Sequence, residues 1–125
     1  MELINLNPAH TDERGKITDL ISNDDINAVT IITFAKDAIR ANHYHLKTIQ
    51  WNYVISGEVL LVTQSKDQGV VETYLKKGDF AITKEGESHA LKGITEAEVL
   101  ILTKGPRAGT DYENDTFRLK SPLIS

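Results

Sequence analysis

The sequence predicts an all-β protein built as an antiparallel sandwich or barrel. Six short apolar runs rich in valine, isoleucine and threonine recur at close intervals, at residues 28–34, 49–55, 58–64, 70–75, 80–83 and 98–103. Turn-forming residues separate these runs, and none of the runs has the spacing of an amphipathic helix. Many short strands between regular turns are typical of closed or strongly curved antiparallel sheets.

The elements follow this pattern along the chain. Residues 19–25 are the only segment where we expect a helix, of one or two turns. Ser56-Gly57 lies between two strong strands and predicts a tight hairpin. Turns around Gly69, Gly78 and Gly86 separate the later strands. We expect one domain over residues 1–125, with a barrel core at about 28–103 and a polar C-terminal tail at 104–125.

Composition excludes several classes of function. The 125 residues include 14 basic and 18 acidic side chains, a net charge of -4 without any basic cluster. We therefore expect no nucleic-acid partner and no binding to an anionic membrane. The chain has no cysteine, which excludes disulfides and thiolate ligands. The sequence has no signal peptide and no apolar run of membrane-spanning length, so we expect a cytoplasmic protein.

Three of the four histidines form a spaced pattern with a glutamine. His43 and His45 are two residues apart, so on a strand both imidazoles point to the same face. Gln50 on the next strand and His89 on a distant one could complete a set of three nitrogens and one oxygen. Such a set suits a divalent transition metal, namely zinc, nickel, manganese or iron. The sequence does not distinguish among these ions.

The same residues resemble the two short motifs of the cupins, a family of small jelly-roll-like β-barrels. His43, His45 and Gly57 match the first motif, while Gly78, Gly86 and His89 match the second. The resemblance implies an all-β cupin barrel over most of the chain. Departures at Asp37, Lys84 and Gly93 fall where we expect effects on turns alone.

One departure alters the predicted site itself. Gln50 stands where the first cupin motif has a glutamate. A neutral amide leaves a bound divalent ion with its full charge of about +2, so the ion becomes a stronger Lewis acid held by a weaker donor. This favours polarising a carbonyl, and it disfavours an iron dioxygenase, whose oxidised metal an anionic ligand helps to support.

A second resemblance is to the nucleotide-sugar epimerases and ketoisomerases, which are also cupin-fold enzymes. Asp12-Glu13-Arg14-Gly15 and Arg40-Ala41-Asn42-His43 look like two of their short segments, with Ala41 where glycine is usual. The resemblance implies a metal-free mechanism in which His43 is the general base. Arg14 and Arg40 would then hold a diphosphate through bidentate bonds. The C-terminal tail also resembles that of cupins in surface-polysaccharide biosynthesis.

The leading hypothesis is a metal-binding cupin acting as a non-redox isomerase or epimerase on a sugar or sugar nucleotide. The alternatives are the metal-free enzyme with His43 as base and a non-catalytic carbohydrate-binding module. Strand alternation places Asn52 towards the pocket as a substrate-binding residue. It places Trp51, Tyr53 and Ile55 on the opposite face, where we expect a homodimer interface or a cover from the chain's own termini.

Overall fold

The computed structural model describes residues 1–107 and 109–125, and this part of the chain is almost entirely β-structure. The strands are β1 (Glu2–Ile4), β2 (His10–Asp12), β3 (Gly15–Ile17), β4 (Ala28–Phe34), β5 (Ile39–Tyr44), β6 (Ile49–Ser56), β7 (Glu58–Gln64), β8 (Val71–Lys76), β9 (Phe80–Thr83), β10 (Ser88–Gly93), β11 (Ala97–Lys104) and β12 (Phe117–Arg118). One short helix, α1 (Thr110–Asn114), lies between β11 and β12.

Two five-stranded antiparallel sheets form the two walls of the barrel. The first has the order β1-β9-β6-β11-β4, and the second has the order β12-β5-β10-β7-β8. Strands β2 and β3 form a separate hairpin. Successive strands repeatedly change sheet, as in a jelly roll, and the predicted all-β cupin barrel is confirmed.

The predicted strands are present, and the predicted helix is wrong. The six apolar runs correspond to β4, β6, β7, β8, β9 and β11. Residues 19–25 form bends and irregular structure, with Asn23 in a left-handed conformation at φ 61°. Asparagine and aspartate side chains compete with helical backbone bonds, which explains why this polar segment does not continue as a helix.

Side chains from both sheets meet in one apolar core. Strand β11 alternates buried and half-buried residues along its whole length, which is the period of a strand with one face inside. Val54, Val59, Leu61 and Leu75 are fully buried. Each such side chain stabilises the fold by about 1.5–3 kcal/mol relative to exposure. The core therefore holds the two walls at a fixed separation beside the pocket described below.

The turn between β6 and β7 joins the two sheets and requires glycine. Gly57 has φ 76°, and a Cβ atom there would lie 2.1 Å from the carbonyl oxygen of Glu96. No side chain fits at that distance. The tight hairpin expected at Ser56-Gly57 is present, and the absence of a Cβ lets β6 cross closely over the neighbouring backbone.

The outer face of the first sheet is partly covered by the chain itself. Trp51 is only 7% exposed, and Tyr53 shares a surface pocket with Leu6 and Pro8 of the N-terminal segment. Val29 and Ile31 on the edge strand β4 are 62% and 59% exposed. The exposed apolar surface of this face thus lies on β4 rather than at Trp51. Within the described residues, helices are too short and too polar to cross a bilayer.

Candidate functional site

Three buried imidazoles converge between the two walls of the barrel. The ring centroid of His43 lies 4.7 Å from those of both His45 and His89, and the last two are 5.4 Å apart. One nitrogen from each ring lies within 4.8 Å of the others. All three side chains are under 9% exposed. The sequence pattern therefore becomes a compact cluster of nitrogen donors.

Local backbone irregularities create this convergence. His43 on β5 stands opposite His89 on β10, next to a shift in register between the two strands. Ala41 and Asn42 both have left-handed backbones there, at φ 72° and 58°. Such a bulge re-aims the side chains that follow it. The amide of Gly86, itself at φ 75°, donates to the carbonyl of His45 at 2.6 Å and closes the second motif against the first.

The hydrogen bonds of the rings define which nitrogens are free. Nδ1 of His45 lies 2.8 Å from the carbonyl oxygen of Asp115, and Nδ1 of His89 lies 3.1 Å from that of Glu87. A carbonyl can only accept, so each Nδ1 carries the proton and each Nε2 keeps its lone pair. In the described part of the chain, Nε2 of His45 and Nδ1 of His43 are buried without a partner. Such unpaired nitrogens fit the donor set of a metal site.

Two rings of the cluster, those of His43 and His89, are neutral at physiological pH. Burial, followed by repulsion from the neighbouring imidazoles, lowers the pKa of His43 to about 3. Burial and then His45 lower the pKa of His89 to about 3 in the same way. Two positive rings at this separation would repel each other strongly. Neutral imidazoles are the form that binds metals.

A cavity of about 210 Å³ opens beside His43 and His89. Gln50 and Asn52 of β6 line it, and the amide nitrogen of Asn52 donates to the carbonyl of Ala81 at 3.2 Å. Asn52 thus lies on the cavity wall, on the side of β6 that strand alternation predicts. The cavity is completed by apolar side chains of both walls, Ile32, Phe34, Ala41, Leu91 and Ile101.

Arg40 lines this cavity, whereas Arg14 does not. Arg14 lies in a separate surface pocket, 82% exposed, where its guanidinium binds the carboxylate of Asp12 at 2.7 Å. Arg40 donates to the carbonyl of Thr33 at 3.1 and 3.3 Å and lies over the Phe34 ring. The structure therefore brings only one of the two predicted arginines to the histidine cluster.

The C-terminal segment supplies a wall of the cavity that sequence reasoning missed. Its contributions are Arg107, Tyr112, Glu113, Thr116 and Arg118. The guanidinium of Arg107 lies 4.2 Å from the centre of the Tyr112 ring, and that ring lies 5.4 Å from His45. A mixture of aromatic and charged residues in the tail was the available signal, but the sequence pattern predicts only a polar C-terminal tail over residues 104–125.

The charge around the cavity is predominantly positive. Three arginines, Arg40, Arg107 and Arg118, share its lining with one acidic residue, Glu113. Asp115 lies just behind this wall. Burial acts to raise its pKa, but hydrogen bonds from Thr48, Leu46 and Lys47 outweigh burial and hold the pKa below its ordinary value. Its negative charge is directed at the backbone amides of Leu46 and Lys47 and at the hydroxyl of Thr48, so the arginines remain available for an anion.

The family model for the polysaccharide biosynthesis C-terminal domain matches residues 10–117. No curated protein matches the chain. Several solved structures do. The 3,4-ketoisomerase from Helicobacter canadensis superposes with a TM-score of 0.78 at 18% identity, over 94% of this chain and 90% of that one. QdtA from Thermoanaerobacterium thermosaccharolyticum, a sugar 3,4-ketoisomerase solved with TDP, gives 0.75 at 21% identity, over 95% and 88%.

A third similarity is to a longer protein. The capsular polysaccharide assembling protein CapF from Staphylococcus aureus superposes with a TM-score of 0.66 at 21% identity, over 96% of this chain but only 35% of CapF. A further structure of CapF contains the inhibitor 3-isopropenyl-tropolone. At these identities the superpositions establish a shared fold.

Proposed function

This chain belongs to the polysaccharide biosynthesis C-terminal domain family, and we propose that it is an isomerase or epimerase acting on a nucleotide-linked sugar. The reaction would move a proton at a carbon next to the sugar's carbonyl, without net oxidation or reduction. Two structural neighbours support this proposal: one is named a sugar 3,4-ketoisomerase and was solved with TDP, and the other is named a 3,4-ketoisomerase. We also propose that residues 1–125 act as one domain, because both the barrel and the tail line the cavity.

The observation that carries the proposal is the buried cluster of His43, His45 and His89 beside a positively charged cavity. The unused ring nitrogens of the three imidazoles can donate lone pairs to an electrophile such as a metal ion. The arginines can donate hydrogen bonds to phosphate oxygens. A sugar nucleotide presents both complementary groups, a carbonyl and a diphosphate. The two halves of the cavity therefore fit the two halves of one substrate.

We propose that His43, His45, His89 and Gln50 hold a divalent zinc, nickel, manganese or iron ion. The unpaired buried nitrogens of His43 and His45 fit this role, as does the amide of Gln50 on the cavity wall. A bound ion would supply Lewis-acid polarisation of the substrate carbonyl. The carbonyls of Asp115 and Glu87 orient two of the three ligand rings, as acceptors behind metal-binding histidines commonly do.

The remaining lining residues bind and orient the substrate. Arg107 and Arg118 face the cavity beside Arg40 and would hold the diphosphate by charge-assisted hydrogen bonds. Asn52 uses one amide hydrogen on Ala81, so its side-chain oxygen is available for a sugar hydroxyl. Since the three histidines would be engaged as ligands, Glu113 is the cavity-lining carboxylate left to move a proton.

The metal-free alternative assigns proton removal to His43. This alternative is favoured by one observation: His43 lines the cavity directly, together with Arg40 and Arg118. Against it, Nδ1 of His43 has no hydrogen-bond partner in the described residues. A histidine that takes up a proton normally has an acceptor behind its second nitrogen to stabilise the imidazolium. The geometry thus favours His43 as a ligand over His43 as a base.

Elemental analysis of untagged protein tests the metal site. We expect close to one equivalent of metal in the wild type and a loss of metal in a His89→Ala variant. His10→Ala is the matched control, because His10 is exposed and lies outside the cavity. Absence of metal in the wild type, even after adding zinc, nickel, manganese or iron, would reject the metal-dependent mechanism.

Deuterium exchange tests the reaction class. The protein is incubated in D2O with a panel of nucleoside-diphosphate keto-sugars, and NMR follows deuterium incorporation next to the carbonyl. Incorporation that depends on metal supports the proposal. Incorporation in chelator-treated protein, lost in His43→Ala, would instead support the metal-free mechanism. Binding of these sugars without any exchange would leave a carbohydrate-binding module. Tropolone, with adjacent carbonyl and hydroxyl oxygens, is a suitable probe for the metal.

We further propose a homodimer, formed through the edge strand β4. Val29 and Ile31 lie on the outer face of the sheet along this edge strand and are more than half exposed. An unpaired edge with apolar side chains is a template for pairing with a second copy, which would cover both residues. A monomeric mass by light scattering at micromolar concentrations would reject this proposal. Val29→Lys should dissociate a dimer without altering metal content.

A further inference from the structure

Asp115 occupies an unusual place between α1 and β12. It is only 5% exposed, although most of its neighbours in the C-terminal segment are exposed. Its carboxylate accepts hydrogen bonds from the amides of Leu46 and Lys47 at 3.0 and 3.1 Å. The hydroxyl of Thr48 donates to the same carboxylate at 2.7 Å. A buried carboxylate with this many donors is fixed in position.

The same residue also contacts the histidine cluster through its backbone. The carbonyl oxygen of Asp115 lies 2.8 Å from Nδ1 of His45, at a separation of 70 residues in sequence. The side chain of Asp115 therefore binds the loop after β5, while its main-chain carbonyl accepts a hydrogen bond from His45, the first residue after that strand. Both contacts come from one residue. The position of the Asp115 carbonyl therefore depends on the hydrogen bonds that fix its carboxylate.

This arrangement ties the cavity wall to the cluster. Asp115 follows α1, which carries Tyr112 and Glu113, and it precedes β12, which carries Arg118. In contrast, His89 is held by the carbonyl of Glu87, only two residues away. The orientation of His89 is thus a local property of its own turn, whereas that of His45 depends on the docking of the tail.

We propose that Asp115 is a positioning residue of the site, which fixes His45 as the Nδ1-protonated tautomer and thereby joins the C-terminal wall to the metal-binding cluster. The inference rests on the proposed metal site for its functional consequence. A displaced carboxylate would free the carbonyl, let His45 exchange tautomers and withdraw Nε2 as a donor. The affinity for metal would then fall, and the C-terminal wall of the cavity would become less ordered at the same time.

The side-chain nitrogen signals of the metal-free protein test this directly. In the wild type, ¹⁵N NMR should show His45 and His89 protonated at Nδ1 and unprotonated at Nε2. In Asp115→Asn, His45 should become a mixture of tautomers while His89 stays unchanged. The dissociation constant for Zn²⁺, measured by competition with a chromophoric chelator, should rise about 10- to 100-fold. Asp111→Asn is the matched control, because Asp111 is an exposed aspartate in the same segment.

A second variant keeps the test decisive if Asp115→Asn does not fold. Thr48→Val removes one donor to the carboxylate at nearly constant volume, and it should shift His45 in the same direction by a smaller amount. Wild-type His45 protonated at Nε2 would overturn the inference. So would unchanged tautomer and Zn²⁺ affinity in the variants, or an equal change at His89. Failure of the wild type to bind Zn²⁺ would reject the metal proposal instead, and the tautomer comparison would still decide the role of Asp115.

Discussion

Replacement of Arg118 by glutamine should weaken the binding of a nucleoside diphosphate by about tenfold. Arg118 lies on β12 opposite His43 and lines the cavity. A hydrogen bond between charged partners contributes about 1.5–3 kcal/mol. Arg118 is exposed to solvent, which screens the charge and places the loss near the lower limit. A loss of about 1.4 kcal/mol corresponds to a factor of about ten in affinity.

Isothermal titration with thymidine diphosphate measures this loss, and Arg14→Gln is the matched control. Arg14 has the same charge but lies outside the cavity, paired with Asp12. Raising the salt concentration should weaken binding to the wild type more than to Arg118→Gln, because one screened contact has already been removed. Equal losses in both variants, or no loss in Arg118→Gln, would refute the assignment of the diphosphate to this wall.

Three further predictions concern stability. Gly57→Ala should lower the free energy of unfolding by about 2–5 kcal/mol in a urea titration, because it adds backbone strain to a close contact; a loss under 1 kcal/mol would contradict this. Ala41→Gly should raise it by about 0.5–1 kcal/mol, since glycine relieves the left-handed strain at φ 72°, and unchanged or lower stability would show that the bulge is unstrained. For the metal-free protein, His43 and His89 have folded pKa values of about 3 against 6.5 in the unfolded chain. The unfolded state therefore binds more protons below pH 6.5, and stability should fall by up to about 1.4 kcal/mol per pH unit per histidine, as thermal melts from pH 7 to 4 would show; a flat profile would mean that these rings already take up protons in the folded protein.

The barrel was predictable because its strands carry their signal locally. The runs that became β4, β6, β7 and β11 are apolar, rich in β-branched residues and bounded by turn residues. Strands β5 and β10 were harder, because polar site residues interrupt their alternation. The shortest strands, such as β12 with two residues, exist only through tertiary pairing and have no recognisable pattern.

The histidine cluster was predictable for a similar reason, since spacing on one strand determines the facing side. His43 and His45 lie on the same side, and the second cupin motif indicated His89. The wall that faces them was not predictable. Arg118 reaches the cavity because the tail folds back onto β5, and Arg14 misses it because the β2–β3 hairpin forms apart from both sheets. Long-range docking of this kind leaves no short-range signal in sequence.

Gln50 connects the two halves of the proposed site through charge. A glutamate at this buried position would place a negative charge in a cavity whose lining has three arginines and one carboxylate. The amide leaves the cavity more positive, and because the cavity-lining rings of His43 and His89 are neutral, the arginines dominate its field. That field favours an anionic substrate before any ion is bound, and a divalent ion would strengthen it further. We therefore expect Gln50→Glu to bind metal more tightly but thymidine diphosphate more weakly. Opposite changes in the two dissociation constants would show that Gln50 acts on both ligands through charge. Shifts in the same direction would mean that Gln50 acts on the two ligands through packing instead.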